Sequence, residues 1–91
     1  MGLVTKKLTV KNKSGLHARP AALFVQIANK FDSRITVRRD DEKEEVNGKS
    51  IMGILMLGAE RGSVIVIEIE GDDAEGAMTE LEKIITDEGE V

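Results

Sequence analysis

The sequence predicts an α+β fold in which a mainly antiparallel sheet carries its helices on one face. The chain has 91 residues, which is the length of one small domain, so residues 1–91 are expected to form a single domain. Its apolar residues alternate in some segments and recur at helical spacing in others, in the order β-α-β-β-α-β-α. Two split β-α-β units in this order are typical of an antiparallel sheet with helices on one side.

The N-terminal part of the chain predicts a strand and then a helix. Residues 4–10 alternate, and Lys6 on the apolar side indicates that part of this strand is exposed. After a short loop, apolar residues fall at helical spacing over residues 18–30. Pro20 lies in the first turn, where its missing N–H removes no intrahelical bond. The helix is therefore predicted to begin close to His17.

The middle of the chain predicts two strands joined by a loop. Residues 34–39 alternate, with Ile35 and Val37 on the buried side. Residues 40–45 are all charged, which is typical of a solvated hairpin loop. A short strand is predicted to follow near Val46.

The remaining elements are a two-turn helix, a strong strand and a longer helix. Ser50 precedes the apolar run 51–57 as a helix N-cap, and Gly58 follows where helices commonly end. Residues 63–70 alternate with three isoleucines on one face, which predicts the strongest strand. Residues 74–85 have the cleanest amphipathic pattern in the chain. Just before them, Asp72 and Glu75 match the acidic variant of a capping box.

Composition excludes several classes of protein. The longest uncharged apolar stretch, residues 51–59, is too short to cross a bilayer, and no signal-peptide pattern opens the chain. We therefore expect a cytoplasmic protein with no membrane insertion. The chain has no cysteine and one histidine, so it lacks a disulfide framework, a thiolate metal site and a multi-histidine metal site. No metal and no cofactor are expected.

The charges are divided unevenly between the two parts of the chain. Residues 1–39 carry nine Lys and Arg against one Asp, a formal charge of +8, whereas residues 40–91 carry a formal charge of −12. A basic half indicates a phosphate, a nucleic acid or an acidic protein as partner. Nucleic acid is the weakest of the three, because the chain has no Tyr or Trp, and Phe24 and Phe31 have the spacing of helix core residues. We expect no direct contact with nucleic acid.

The segment from Gly15 to Ala21 carries the chemistry. A glycine loop delivers the only histidine, His17, to the N-terminus of a helix. There the free N–H groups of Ala18 and Arg19 and the helix dipole favour an anion. Arg19 adds a guanidinium suited to bidentate contact with a phosphoryl group. The positive surroundings favour a neutral, nucleophilic imidazole, so His17 is a candidate phosphoryl acceptor.

Two other roles for His17 stay open. A histidine at this place can be a helix N-cap with no chemistry. It can also be a general base, although no serine, cysteine or carboxylate beside it in the sequence completes such a site. The glycine loop, the helix N-terminus and the arginine together favour anion binding over both.

The predicted two-turn helix is apolar around its whole circumference. Two turns that lie on one face of a sheet cannot bury every side. If Ile54 and Leu57 point inward, then Ile51, Met52 and Leu55 form an exposed patch, which is typical of a surface that docks several partners. The alternative is a fully buried helix.

These residues carry a resemblance to a known family. The stretch Gly15 to Ala21, followed by residues 46–53 (Val-Asn-Gly-Lys-Ser-Ile-Met-Gly), resembles HPr, the family of histidine-containing phosphocarriers in the bacterial phosphoenolpyruvate-dependent sugar phosphotransferase system. The likeness extends over essentially the whole chain. It implies an open-faced β-sandwich, in which a four-stranded antiparallel sheet has three helices on one face. It also implies a monomeric carrier, not an enzyme, in which His17 takes a phosphoryl group from enzyme I on Nδ1 and passes it to IIA proteins or domains.

The resemblance also implies roles for the second motif. Matching the family pattern residue by residue places Ile51, Met52 and Leu55 in the partner-binding surface. Ser50 matches the serine that HPr proteins of many Gram-positive bacteria use for regulation, which would add HPr kinase/phosphorylase and a catabolite-control transcription regulator as partners. Enterobacterial relatives keep this serine without the kinase, so a purely structural N-cap stays open.

Two alternative functions remain at this stage. One is a purely regulatory binding protein of the same fold, and the presence of His17 with Arg19 argues against it. The other is the nitrogen-regulatory branch of the phosphotransferase system, against which the Ser50 motif argues moderately.

Overall fold

The computed structural model describes residues 2–89 and contains one four-stranded sheet with three helices. Every predicted element is present in the predicted order, which confirms the α+β fold class. The elements are β1 (Gly2–Thr9), α1 (Ala18–Ala28), β2 (Arg34–Arg39), β3 (Val46–Asn47), α2 (Ile51–Met56), β4 (Val64–Gly71) and α3 (Ala74–Ile85).

The sheet is antiparallel throughout, with the strand order β1-β4-β2-β3. On the central strand β4, the side chains of Ile65, Ile67 and Ile69 are fully buried. Ile35 pairs with Ile69 and Val37 pairs with Ile67, so the inward-facing rows of β2 and β4 meet in register. This confirms the predicted isoleucine face and leaves the opposite face of the sheet open.

The helices cover the isoleucine face and complete one hydrophobic core. Ala21, Phe24 and Ala28 of α1 and Leu81 of α3 are fully buried, and Phe31 packs against the same cluster from its edge. Burying a side chain such as Phe24 stabilises the fold by about 1.5–3 kcal/mol. Within residues 2–89, every helix falls short of the length and hydropathy that crossing a bilayer requires.

The elements end within two residues of the predicted limits. The largest difference at a helix end is in α1, which stops at Ala28 although its pattern continues to residue 30. The N–H groups of Lys30 and Phe31 donate to carbonyls three residues back, at 3.0 and 3.2 Å. This tighter 3₁₀ geometry is common at the C-terminus of a helix and is invisible in the hydrophobic pattern.

The capping box predicted for α3 is wrong. The N-cap is Asp73, not Asp72, and its side chain makes no cap hydrogen bond. The Asp73 carboxylate instead accepts hydrogen bonds from the N–H of Asp32 at 2.9 Å, from the N–H of Ser33 at 3.1 Å and from the Ser33 hydroxyl. The Ser33 hydroxyl and these N–H groups hold the pKa of Asp73 below its usual value. Asp73 therefore ties the start of α3 to the loop that precedes β2.

Candidate functional site

A tight loop carries His17 from β1 to the start of α1. Gly15 has a φ of 74°, a left-handed conformation that glycine adopts without steric penalty. A Cβ at Gly15 would lie 2.7 Å from the carbonyl oxygen of Ala59. The N–H of Leu16 donates to this same carbonyl at 2.9 Å. The loop therefore lies so close to the segment after α2 that only glycine fits.

Asn12 anchors this loop to the end of α3. Its side chain is buried, and its Nδ2 donates to the carbonyl oxygens of Ile84 at 2.8 Å and Asp87 at 3.1 Å. The backbone carbonyl of Asn12 accepts a hydrogen bond from the N–H of Gly15 at 3.0 Å. Sequence reasoning missed this residue, because an asparagine in a loop usually bonds to its own neighbours and this contact spans 72 positions.

The N-terminus of α1 presents two free amide groups. The helix begins at Ala18, with His17 as an extended N-cap residue, and its first intrahelical bond joins the Ala21 N–H to the His17 carbonyl at 3.0 Å. Pro20 at the third position has no N–H. Among residues 2–89, the N–H groups of Ala18 and Arg19 have no hydrogen-bond acceptor, and the imidazole does not cap them. Both amides are therefore available to a ligand, as the sequence predicted.

No acidic side chain neutralises this helix terminus from within its first turn. Arg19 is exposed, and in the part of the chain described here its guanidinium takes part in no ion pair. His17, next to it, is half-buried. A half-buried imidazole, two amide donors and an unpaired guanidinium on one helix turn can hold a phosphoryl group on the ring and stabilise its charge.

α2 has the caps that the sequence predicted. The hydroxyl of Ser50 accepts the N–H of Gly53 at 3.1 Å, which confirms Ser50 as the N-cap. At the other end, Gly58 has a φ of 59°, and its N–H donates to the carbonyl of Leu55 at 3.1 Å. Both caps explain why so short a segment is helical.

Arg39 contacts the C-terminal end of α2, and sequence reasoning missed this contact. From the end of β2, its Nη1 donates to the carbonyl oxygens of Leu57 at 3.4 Å and Gly58 at 3.1 Å. Its Nε pairs with the Asp41 carboxylate at 3.2 Å. This hydrogen bond, with the attraction between the opposite charges, raises the pKa of Arg39 and lowers that of Asp41. A cation at the C-terminus of a helix also complements the helix dipole, so Arg39 holds the end of α2 in place.

One side of α2 is buried and the other is apolar and exposed. Ile54 and Leu57 point into the core. Four large apolar side chains lie on the exposed side, and we call them the apolar face of α2: Ile51 (40% exposed), Met52 (63%), Leu55 (37%) and Met56 (75%). The predicted exposure of the first three is confirmed, and the alternative of a fully buried helix is wrong. Met56, the most exposed of the four, was missing from the prediction.

The N-terminal end of α2 lies beside the C-terminal end of α1. Asn29, the residue after α1, donates from Nδ2 to the Lys49 carbonyl at 3.3 Å. Lys49 in turn donates from Nζ to the Phe31 carbonyl at 2.7 Å. These contacts place Ser50 at the end of α1 that is remote from His17.

The opposite end of α2 lies beside the loop that carries His17. The contact is the hydrogen bond from the N–H of Leu16 to the carbonyl of Ala59, three residues past the end of the helix. α1 and α2 are therefore antiparallel, and the apolar face extends from Ser50 toward the His17 loop. Six helical residues rise about 9 Å, so the length of α2 separates Ser50 from the His17 loop.

Known proteins are similar to this chain in sequence and in fold. The family model described as the PTS HPr component phosphorylation site matches residues 4–87. The HPr-like protein Crh of Halalkalibacterium halodurans is 51% identical over 79 residues, which cover 87% of this chain and 92% of that protein.

Two solved structures extend the similarity to the fold. The crystal structure of phosphocarrier protein HPr from Bacillus anthracis is 47% identical, with a TM-score of 0.85 over 93% of this chain and 99% of that one. The HPr dimer from Thermoanaerobacter tengcongensis is 54% identical, with a TM-score of 0.69 over 86% of this chain and 87% of that one.

An open antiparallel sheet with three helices on one face is thus the architecture of small phosphocarriers of the phosphotransferase system. Within that class, the chain belongs to the HPr family. The family includes HPr-like proteins named Crh as well as phosphocarrier proteins named HPr.

Proposed function

We propose that this protein carries phosphoryl groups from enzyme I to IIA proteins or domains. The single observation that carries this proposal is the N-terminus of α1. There the half-buried His17 lies beside two amides and an Arg19 guanidinium that have no partner within residues 2–89. The phosphate chemistry of that terminus agrees with membership of a phosphocarrier family.

The transfer forms one bond to phosphorus and breaks another. The lone pair of His17 Nδ1 attacks the phosphoryl group on phosphorylated enzyme I, a new N–P bond forms, and the bond to the donor breaks. The amides of Ala18 and Arg19 and the Arg19 guanidinium stabilise the charge on the phosphoryl oxygens. A second transfer to IIA restores the free imidazole. The protein is thus a covalent intermediate and not an enzyme, and no metal or cofactor enters the scheme.

The apolar face of α2 is proposed as the docking surface for both partners. It extends toward the His17 loop, so one partner can cover the face and reach the imidazole at the same time. Exposed apolar side chains of this kind are favourable to desolvate, and methionines adapt to different partner shapes. Acidic partner surfaces would complement Arg19.

Ser50 is proposed as a regulatory phosphorylation site. Its hydroxyl is half-buried at the N-terminus of α2, and it borders the apolar face at Ile51 and Met52. A phosphate there would lie next to the docking surface without touching the His17 loop. This role brings in HPr kinase/phosphorylase and a catabolite-control transcription regulator as partners.

A monomer with one cytoplasmic domain suits this role, although solved structures of Crh and of one HPr are described as dimers. β1 is an edge strand, and its Lys6 and Lys7 pair with Glu82 at 2.7 Å and Asp40 at 3.3 Å. Charged side chains on an edge strand oppose pairing with a second sheet. Light scattering on the purified protein distinguishes the two assemblies by mass.

Two alternatives use the same fold. A purely regulatory protein is favoured by the similarity to Crh, but it gives no role to the free amides and guanidinium beside His17. In the nitrogen-regulatory branch, the same chemistry serves signalling. A partner panel separates this branch from sugar uptake, because each branch has its own enzyme I and IIA proteins.

Incubation with phosphoenolpyruvate and enzyme I, read by intact-protein mass spectrometry, tests the proposal. We expect one phosphoryl adduct that is lost in acid, survives in base and is absent from His17→Ala. An adduct that persists in His17→Ala would overturn the assignment. Ser50→Ala is the matched control and should still accept the phosphoryl group.

A further inference from the structure

Two exposed methionines lie one helical turn apart on the apolar face of α2. Met52 is 63% exposed and Met56 is 75% exposed, whereas Met78 of α3 is 2% exposed in the core. Residues four positions apart in a helix lie on the same side, so the two exposed thioethers are neighbours. The chain contains no cysteine. Within residues 2–89, these two side chains therefore hold the only sulfur atoms that solvent can readily reach.

We propose that Met52 and Met56 form a reversible oxidation site that weakens partner docking when a hydroperoxide converts them to sulfoxides. The proposal rests on the proposed function, because it takes the apolar face of α2 as the docking surface. It assigns the ligand class as a small hydroperoxide, which needs only access to the sulfur atom.

The reaction transfers one oxygen atom. A lone pair of the thioether sulfur attacks an oxygen of the hydroperoxide, so that an S–O bond forms and the O–O bond breaks. The departing oxygen keeps the electron pair of that bond, takes up the proton that the transferred oxygen gives up, and leaves as water or an alcohol. The sulfur is oxidised by two electrons, and the hydroperoxide is reduced by two. The product is a sulfoxide, which methionine sulfoxide reductases return to the thioether.

The sulfoxide changes the docking surface and leaves the fold intact. Ile54 and Leu57 supply the buried side of α2, and neither can be oxidised in this way. Met52 and Met56 project into solvent, so the added oxygen is hydrated in the free protein. When a partner covers the face, that polar oxygen loses its water among the apolar side chains of Ile51 and Leu55.

Oxidation should therefore act on binding and not on phosphoryl transfer itself. The amides of Ala18 and Arg19 and the imidazole of His17 lie on α1 and its N-cap, which this change does not touch. We expect the KM of enzyme I for this protein to rise about tenfold while kcat stays within about twofold, because a tenfold change needs the loss of only one modest contact.

The experiment treats the folded protein with limiting hydrogen peroxide and maps the oxygen by peptide mass spectrometry. We expect one added oxygen at each of Met52 and Met56, with Met78 unchanged until denaturant is added. The oxidised protein is then assayed with phosphoenolpyruvate and enzyme I. The tenfold rise in KM should reverse after treatment with the reductases for both sulfoxide epimers.

Two variants make the test specific. In Met52→Leu/Met56→Leu, KM after peroxide should equal the value of the same variant before peroxide. Met78→Leu should keep the full response. An oxidised protein with unchanged KM, or a double variant whose KM still rises after peroxide, would overturn the oxidation site and leave the proposed function standing. If the untreated protein accepts no phosphoryl group from enzyme I, the proposed function fails, and the oxidation site fails with it.

Discussion

At the scale of single residues, the proposed phosphoryl site depends on groups that the fold leaves unpaired within residues 2–89. The amides of Ala18 and Arg19 are free because the N-cap residue, His17, does not bond to them, and Pro20 has no N–H to offer. Among residues 2–89 the Arg19 guanidinium is in no ion pair, and the first turn of α1 has no acidic residue. Each group contributes little to folding, so its removal should affect transfer more than stability.

Arg19→Ala tests this separation. An exposed substitution changes stability by less than about 0.5 kcal/mol, whereas losing a charge-assisted contact to a phosphoryl group costs about 1.5–3 kcal/mol. Transfer from enzyme I should therefore slow about tenfold or more, with the melting temperature near that of the wild type. Arg19→Lys keeps the charge but loses the planar guanidinium. Its transfer rate should lie between those of Arg19→Ala and the wild type. Equal transfer rates for Ala and wild type would contradict the role of Arg19.

Gly15 can be tested against a glycine with similar backbone geometry. Gly15 and Gly58 both have positive φ, at 74° and 59°, but only Gly15 faces a nearby backbone carbonyl, at 2.7 Å from a Cβ. Gly58→Ala should lower the free energy of unfolding only by the cost of the left-handed conformation, about 1–2 kcal/mol. Gly15→Ala should lower the free energy of unfolding by about 1–3 kcal/mol more, because the backbone at Ala59 must move to make room for the Cβ.

Urea unfolding of both glycine variants gives the comparison. Gly15→Ala should also slow phosphorylation of His17, since the displaced loop carries that residue, and Gly58→Ala should not. Equal losses of stability in the two variants would mean that the close approach to Ala59 is unimportant.

At the scale of elements, α2 connects the proposed regulatory site to the proposed docking surface. Ser50 caps its N-terminus and borders the apolar face, while the opposite end of the helix lies beside the His17 loop. If partners dock on the apolar face of α2 as proposed, a charge introduced at Ser50 affects docking without entering the proposed phosphoryl site.

Ser50→Asp and Ser50→Asn separate charge from capping. Asp, Asn and Ser are comparably good N-caps, so both variants should keep the circular dichroism spectrum of the wild type. At low salt, Ser50→Asp should slow phosphorylation of His17 by enzyme I about threefold to tenfold, because its charge must be desolvated and repels acidic partners. Ser50→Asn should retain the wild-type rate. High salt should shrink the difference, since it screens the repulsive part.

Identical rates for Ser50→Asp and Ser50→Asn at low salt would contradict this account. Ser50 would then act only as a cap.

Asp73 connects α3 to the loop before β2 and makes this connection depend on pH. Its pKa is lower in the folded protein than the usual carboxyl value of about 3.9, so its stabilising effect is fully present above that value. The effect is lost as the pH falls toward the folded pKa, because the protonated carboxyl accepts these hydrogen bonds poorly.

Urea midpoints at pH 7 and pH 3 measure this contribution. Asp73→Asn should be less stable than the wild type at pH 7, and the difference should shrink at pH 3. Asp72→Asn is the control, since Asp72 is exposed and has no hydrogen bond within residues 2–89, and it should follow the wild type at both pH values. A gap for Asp73→Asn that is the same at both pH values would contradict the argument.

The elements also show what the sequence could predict and what it could not. The isoleucine face of β4, the caps of α2 and the exposure of Ile51 and Met52 follow from local patterns, and each was predicted. Contacts between distant positions have no local signal. The anchoring of Asn12 to α3, the hold of Arg39 on α2 and the use of Asp73 as a bridge instead of a capping residue all depend on how the elements pack.

At the scale of the whole molecule, the proposed phosphoryl site and the proposed docking face lie next to each other. His17 and Arg19 stand at one end of α1, and the antiparallel α2 brings its apolar face toward the same loop. The places of His17 and Ser50 at the N-caps of α1 and α2 were predictable from their motifs. Their arrangement was not, because it follows from the packing of α1 against α2 and from the strand order of the sheet. A protein partner can cover this surface and meet the imidazole directly.

The central claim is that the phosphoryl group on His17 is passed on and not merely held. The direct measurement is a chase experiment, in which the protein is labelled from radioactive phosphoenolpyruvate and enzyme I, freed of both, and mixed with a panel of unphosphorylated IIA proteins. The account predicts that the label leaves His17 and appears on at least one IIA protein within the mixing experiment, and that His17→Ala never takes up the label. A label that loads onto His17 but stays there with every sugar-specific and nitrogen-regulatory IIA protein would contradict the carrier function.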